Sequence, residues 1–324
     1  MQNIDKYQKS LIKFLDAYAR SREPENLYNP INYILQLGGK RLRPTLTLMS
    51  CDLCGGDIEA ALPAALCVEV FHNFTLIHDD IMDDAPLRRG KKTVHEKWDV
   101  NTGILSGDAM LIKAYQLLEN YPAEKFKSLT SLFSKTAIEV CEGQQYDIDF
   151  ETRNDVTIPN YLKMIEYKTA VLVGAAMQMG AIVAGASEKN QKALYDFGRN
   201  LGIAFQLQDD YLDAFGNPET FGKQVGGDIM ENKKTYLYLK ALEFLETNDK
   251  NNLLQWYSSQ PKDPEEKVQA VKALFAASGA KQATLDAVKH YTDKAFAVLN
   301  ELSFSDDKKA ILKQFGTMLM TRNV

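Results

Sequence analysis

DIEAALPAALCVEVFHNFTLIHDD, residues 57–80, decides the fold. Its apolar residues recur every three to four positions over a length no ordinary strand reaches, so it reads as one long α-helix, with Pro63 tolerated early or kinking it. The helix runs into an unusual end. IMDDAPLRRG (81–90) follows, so that Asp79, Asp80, Asp83 and Asp84 fall within six positions and Arg88-Arg89-Gly90 comes next.

The same period governs nearly all of the chain. KYQKSLIKFLDAYA (6–19) sets Tyr7, Leu11, Leu15 and Tyr18 on one face, and RPTLTLMSCDLCGG (43–56) carries Pro44 near a helix start and Gly55-Gly56 as a stop. Residues 101–120, 131–150, 158–186 and 188–215 repeat the pattern, and the stretch from Lys234 to Thr321 reads as four or five shorter helices. No segment alternates as strands joined by hairpin turns do. The breaks fall at LRRGKKT (87–93) and FGNPETFGKQVGG (215–227), neither of them a long linker. The expectation is an all-α, single-domain bundle of about a dozen mostly antiparallel helices over residues 1–324.

Composition narrows the function. The 324 residues are 45% hydrophobic and 25% charged, with a net charge of −5. That balance suits a soluble globular protein and gives no electrostatic reason to expect nucleic acid or an anionic membrane. The charged N-terminus has no apolar core of a secretory signal, and no uncharged run is long enough for stable membrane insertion. Of Cys51, Cys54, Cys67 and Cys141, three read as small buried hydrophobes; the lone C-x-x-C has no second pair to make a zinc site, and reduced thiols fit a cytoplasmic location.

One device occurs twice. LIHDDIMD (76–83) and QLQDDYLD (206–213) each close a long apolar helix with Asp-Asp-x-x-Asp. Asp79 with Asp83, and Asp209 with Asp213, are four apart and share a helix face. A single such pair is most simply a solvated helix end. Two pairs facing a common cleft would repel by roughly 3 kcal/mol each at about 6 Å and an effective dielectric of about 20, a cost that cations remove. Carboxylates that leave room for phosphate oxygens suit Mg²⁺, and no calcium loop of the EF-hand pattern is present. Cationic residues flank both motifs: Lys40 and Arg43 in GGKRLRP (38–44), Arg88 and Arg89, then Lys223 and Lys233. A helix start preceded by glycines is suited to an anion.

Taken in order, GGKRLRP, DDIMD, LRRG, YKTA (167–170), FQLQDD (205–210) and DDYLD resemble the trans-isoprenyl diphosphate synthase (polyprenyl synthetase) family, from about Gly38 to Lys234. The resemblance implies helices around a deep cavity, a homodimer, and head-to-tail (1′–4) condensation of isopentenyl diphosphate with an allylic diphosphate. It implies Asp79, Asp83 and Asp209 as ligands of Mg²⁺, three ions with substrate bound, and Asp80, Asp210 and Asp213 in support. Lys40, Arg43, His72 and Arg89 would hold isopentenyl diphosphate; Arg88, Lys168, Thr169, Gln206, Lys223 and Lys233 would surround the allylic one. His78 would help to orient Asp79 or the helix end.

Product length is read in the same helix. The growing chain would run back from Asp79 toward the N-terminus, where Phe74 points into the channel and Phe71 lies nearly on the same face. In the family the residues four and five before the first aspartate act as a floor; here they are the small Thr75 and the large Phe74, which resembles synthases of fifteen- to twenty-carbon products. The chain ends TMLMTRNV, with Arg322 in place of the basic cluster of some relatives. Two other readings stand beside this one. A terpene cyclase would carry an Asn/Ser/Glu-type second metal motif and lack GGKRLRP, and a non-catalytic partner subunit would be expected to have lost aspartates.

Overall fold

The structure is a computed structural model, and it describes residues 2–217, 225–258 and 264–321. Helices account for nearly all of it: α1 Gln2–Tyr18, α2 Glu25–Gln36, α3 Leu42–Leu53, α4 Ile58–Met82, α5 Val94–Lys97, α6 Val100–Gln116, α7 Ala123–Thr152, α8 Ile158–Ile165, a π-turn Glu166–Ala170, α9 Val171–Val183, α10 Glu188–Phe215, α11 Gly227–Met230, α12 Tyr236–Phe244, α13 Thr247–Ser258, α14 Pro264–Ser278, α15 Ala280–Glu301 and α16 Asp306–Met320. The all-α expectation holds. The five helices from Tyr236 onward match the C-terminal reading, and α10 spans the same residues as its apolar pattern.

Two departures are local. The break at LRRGKKT is a minimal hairpin, Leu87–Arg88 paired antiparallel with Lys91–Lys92. Arg89 and Gly90 at its tip have φ of 53° and 72°, the two positive values that a twisted two-residue turn requires. The helix read across 158–186 is interrupted by the π-turn Glu166–Ala170, a turn that takes in one extra residue.

The residues gather into two compact units, Met1–Ser134 with Ala175–Tyr195, and Lys135–Gly174 with Asp196–Val324. In the first, α4 is the central helix, packed against α3 and α6. By length and composition α4 could cross a bilayer, but 72% of its most apolar window is buried within the protein, as a core helix should be. Tyr7, Leu11 and Leu15 of α1 are buried as their spacing predicts. None of the four cysteines is in a disulfide; Cys51 and Cys67 are buried, Cys54 is half-buried and Cys141 is exposed, so two rather than three behave as core residues. In the second unit, Tyr161, Ile165, Leu207, Leu237 and Phe275 bring α8, α10, α12 and α14 onto one apolar core.

Asp57 caps α4 by accepting the Glu59 N–H at 3.0 Å. Pro63 cannot donate within the helix, and its ring crowds the preceding turn. The Tyr121 hydroxyl repairs the ladder there: it accepts the Ala64 N–H at 3.2 Å and donates to the Ala60 carbonyl at 2.7 Å. Tyr121→Phe is expected to destabilise the protein by about 1 kcal/mol, the usual net worth of such a bond. A urea midpoint equal to that of the parent protein would show that water serves equally well.

Candidate active site

The end of α4 is built by its stop signal. Asp83 ends the helix with its N–H on the Asp79 carbonyl at 2.9 Å, Asp84 takes the left-handed conformation (φ 48°), and the Ala85 N–H reaches back to the Asp80 carbonyl at 2.9 Å. This is a Schellman turn with aspartate where glycine is usual. It sends the chain into the small hairpin, which returns Arg88 to the helix end. Arg88 grips the buried Asp80 with its Nε 2.8 and 2.9 Å from the two oxygens and an Nη 2.6 Å from Oδ1. Asp80 therefore supports the hairpin, while Asp79 is half-buried and Asp83 exposed.

Arg89 is fixed by the other glycine-rich loop. Its guanidinium donates to the Gly38 carbonyl and lies flat on Gly39, where a Cβ would come within 2.7 Å of Cζ. Gly39, at φ 113°, is thus required twice, for backbone conformation and for close approach. Arg43 Nη1 lies 3.3 Å from His72 Nε2. A guanidinium only donates, so His72 accepts at Nε2 and carries its proton at Nδ1. Burial, then Arg43, Arg89, Arg88 and Arg41, hold the imidazole well below the usual histidine range. Lys40, Arg43, His72 and Arg89, grouped from the sequence, belong to this first unit, and Arg43, His72 and Arg89 interact within it.

Arg41, which the sequence reading passed over, organises the group. At φ 47° it precedes α3 and donates to Glu69 of α4 and to the Leu35 carbonyl. The two side chains are 8% and 3% exposed, and Asn73 Nδ2 adds a 2.8 Å bond to Glu69. The alternating basic residues of GGKRLRP gave no sign that one of them is turned into the core.

His78 faces elsewhere than expected. Its Nε2 lies 3.3 Å from the Ile104 carbonyl and 3.9 Å from Asp108, and its ring covers Gly107, all on α6. It packs edge-on against Phe74, centroids 4.8 Å apart. Phe74 is 8% exposed and Phe71 fully buried behind it, 5.5 Å away, while the Thr75 hydroxyl is turned back to the His72 carbonyl at 2.8 Å.

In the second unit Asp210 takes the place that Asp80 has in the first. It is buried, accepting from the Tyr161 hydroxyl at Oδ2 and from Gln206 Nε2 at 2.9 Å. Burial and then Asp228 push its carboxyl well above the usual range, against the two hydrogen bonds. Asp213 Oδ2 accepts the Asp228 N–H at 3.0 Å, and the Asp213 carbonyl accepts the Gly226 N–H at 2.7 Å, which anchors the start of α11. Lys168 and Thr169 stand on the π-turn. Lys168 Nζ meets Asp147 at 2.5 Å and Thr169 Oγ1 meets Gln206 at 3.2 Å. Lys233 pairs with Glu231 at 2.7 Å and lies 3.6 Å from Asp228; burial opposes its charge, but Asp228 and Glu231 hold its pKa above the usual value. Lys223 and Arg322 lie outside the described residues.

Aspartates at the C-terminal end of a helix oppose the macrodipole, which favours cations there. Both motifs have that unfavourable sign, and both supply only carboxylate oxygens, the donor chemistry of Mg²⁺. Among the described residues no three His, Cys, Asp or Glu side chains are already gathered as an ion site. Their oxygen-only donor chemistry fits Mg²⁺, which commonly takes few protein carboxylates and keeps several waters.

A helical fold with two acid-ended helices and an arginine–histidine group defines an enzyme that handles diphosphates. The chain belongs to the polyprenyl synthetase family, whose sequence model matches residues 24–274. It is 45% identical over 232 residues to a geranylgeranyl diphosphate synthase of Methanosarcina mazei, covering 71% of each chain. Over 319 residues it is 36% identical to that of Sulfolobus acidocaldarius, covering 95% of this chain and 94% of the relative. A crystal structure of a geranylgeranyl pyrophosphate synthase superposes with a TM-score of 0.95 at 56% identity, with 99% of each chain covered. The chain is a prenyltransferase.

Arg41→Met leaves Glu69 buried without its charge partner and is expected to destabilise by about 3–5 kcal/mol. The double change Arg41→Met with Glu69→Leu should recover most of that loss. Thermal unfolding of the two variants checks it; equal losses would mean the pair contributes packing rather than charge compensation.

Proposed function

We propose that this prenyltransferase joins isopentenyl diphosphate head-to-tail to an allylic diphosphate and releases an all-trans product of fifteen to twenty carbons with inorganic diphosphate. The observation that carries the reading is the end of α4, where Phe74, His72, Asp79, Asp83 and the returning Arg88 and Arg89 follow one another along one helix and its hairpin.

The residues divide the work by charge. Arg43, neutral His72, Arg89 and Lys40 bind isopentenyl diphosphate and fix its double bond. Lys168, Thr169, Gln206, Lys233, Lys223 and Arg88 hold the allylic diphosphate. Asp79, Asp83 and Asp209 would hold Mg²⁺, three ions with substrate bound, and the bound metal would neutralise charge on the departing diphosphate. The allylic C1–O bond breaks with its electron pair left on diphosphate. C1 then bonds to C4 of isopentenyl diphosphate, and the proton lost from C2 passes to the released diphosphate. No side chain at the end of α4 is poised as a dedicated base: His72 already accepts from Arg43. Apolar side chains around Phe74 exclude the water that would quench the cation. Function as a homodimer in the cytoplasm belongs to the same reading.

Purified protein with Mg²⁺ and isopentenyl diphosphate should elongate five-, ten- and fifteen-carbon allylic diphosphates and stop at fifteen or twenty carbons. Failure to elongate any primer sinks the synthase reading and favours a non-catalytic subunit; diphosphate release from the allylic substrate alone points to a cyclase. Phe74→Ala should shift products longer by at least one five-carbon unit. An unchanged product distribution removes Phe74 as the floor.

A further inference from the structure

Tyr161 was assigned no role from the sequence, yet its hydroxyl is bonded to the second acidic motif. It sits on α8, 1% exposed, one turn before the π-turn. Its hydroxyl donates to Asp210 Oδ2; Gln206 Nε2 donates to Asp210 Oδ1 at 2.9 Å; Thr169 Oγ1 donates to Gln206 Oε1 at 3.2 Å. These bonds form an unbroken string from α8 through α10 to the π-turn, all within one compact unit. Each bond fixes the direction of the next. With its amide nitrogen committed to Asp210 and its amide oxygen to Thr169, Gln206 has one sensible orientation.

The π-turn needs such a fixture. A π-turn is less favourable than the α-helix it interrupts, and it persists where neighbouring contacts hold it. Gly143 of α7 and Gly202 of α10 press on it from either side. A Cβ on Gly143 would overlap the backbone of Lys168, and one on Gly202 would lie 2.7 Å from Ala170 Cα. The glycines make room for the turn, and the hydrogen-bonded string sets its register. Tyr161 reaches neither Lys168 nor Thr169 itself, so its influence passes through Asp210.

We propose that Tyr161 is a positioning residue that locks Asp210, Gln206 and Thr169 into one rigid receptor for the allylic diphosphate, without acting on isopentenyl diphosphate. The proposal rests on the synthase reading above. It gives a selective effect on one substrate to a residue of the second unit, whereas Lys40, Arg43, His72 and Arg89 belong to the first.

Tyr161→Phe keeps the ring and removes the donor. It should raise KM for the allylic diphosphate about tenfold, the size expected when a buried acceptor loses a partner, and leave KM for isopentenyl diphosphate within about twofold. Calorimetric binding of an unreactive allylic thiodiphosphate with Mg²⁺ should weaken by about the same factor, while isopentenyl diphosphate binding reports an intact fold. Asp210→Asn can accept from only one of the two donors and should give the same selective loss. In the double variant the two losses should not add, because one string is broken twice. Parallel changes in both substrates, additive losses, or an unchanged allylic affinity in both single variants would overturn the proposal. Should Tyr161→Phe not fold, Asp210→Asn alone carries the test. If the parent protein turns over neither substrate, the synthase reading fails instead.

Discussion

The first unit depends on one buried carboxylate. A cluster of arginines must hold together without any bound anion, and like charges at short range do not assemble unaided. Glu69 is 2% exposed, bonds Arg41 directly, and lends its charge to Arg43 and Arg89. Burying such a pair is costly, and it stabilises only when the remaining polar atoms are satisfied. Asn73 and the Leu35 carbonyl supply most of those partners. The consequence is geometric as well as electrostatic. Glu69 and His72 lie one turn apart on α4, and Arg41 and Arg43 flank the start of α3, so one ion pair registers two helices and aligns Arg43 with His72.

Hydrogen-bonded strings then carry that registration outward. In the first unit Arg89 joins the loop before α3 to the hairpin after α4, and Arg88 joins the hairpin to Asp80. In the second unit Gln206 and Tyr161 meet at Asp210. The glycines make these approaches possible at particular points: Gly39 under Arg89, and Gly143 and Gly202 against the π-turn. Side-chain bulk at any of them would separate groups whose positions the chemistry depends on.

Most of this architecture was legible because helices advertise themselves over long windows. The apolar faces of α1, α4 and α10 gave their extents, and the repeated Asp-Asp-x-x-Asp gave the two functional helix ends. What stayed hidden depends on single-residue geometry or on distant partners. The π-turn adds one residue to a single turn, too local a change for a long apolar window to mark. Arg41 draws no attention in the sequence, and only its left-handed backbone and its bond to Glu69 reveal its role. His78 adjoins Asp79 in sequence, but the absence of a side chain at Gly107 draws it to α6. Tyr161 carries no motif at all, and only its partner across α8 and α10 gives it meaning.

The duplicated motif now separates into parts with different duties. Three aspartates at the negative end of a helix dipole are unfavourable if all remain ionised and unsupported. The protein counters the middle one from within, by Arg88 for Asp80 and by Tyr161 and Gln206 for Asp210. Those carboxylates are buried and are structural partners before they are anything else. Asp79 and Asp209 are half-buried and Asp83 is exposed, so they retain access to solvent and to what binds there. Asp213, in the place equivalent to Asp83, ties its carboxylate to the backbone at the start of α11.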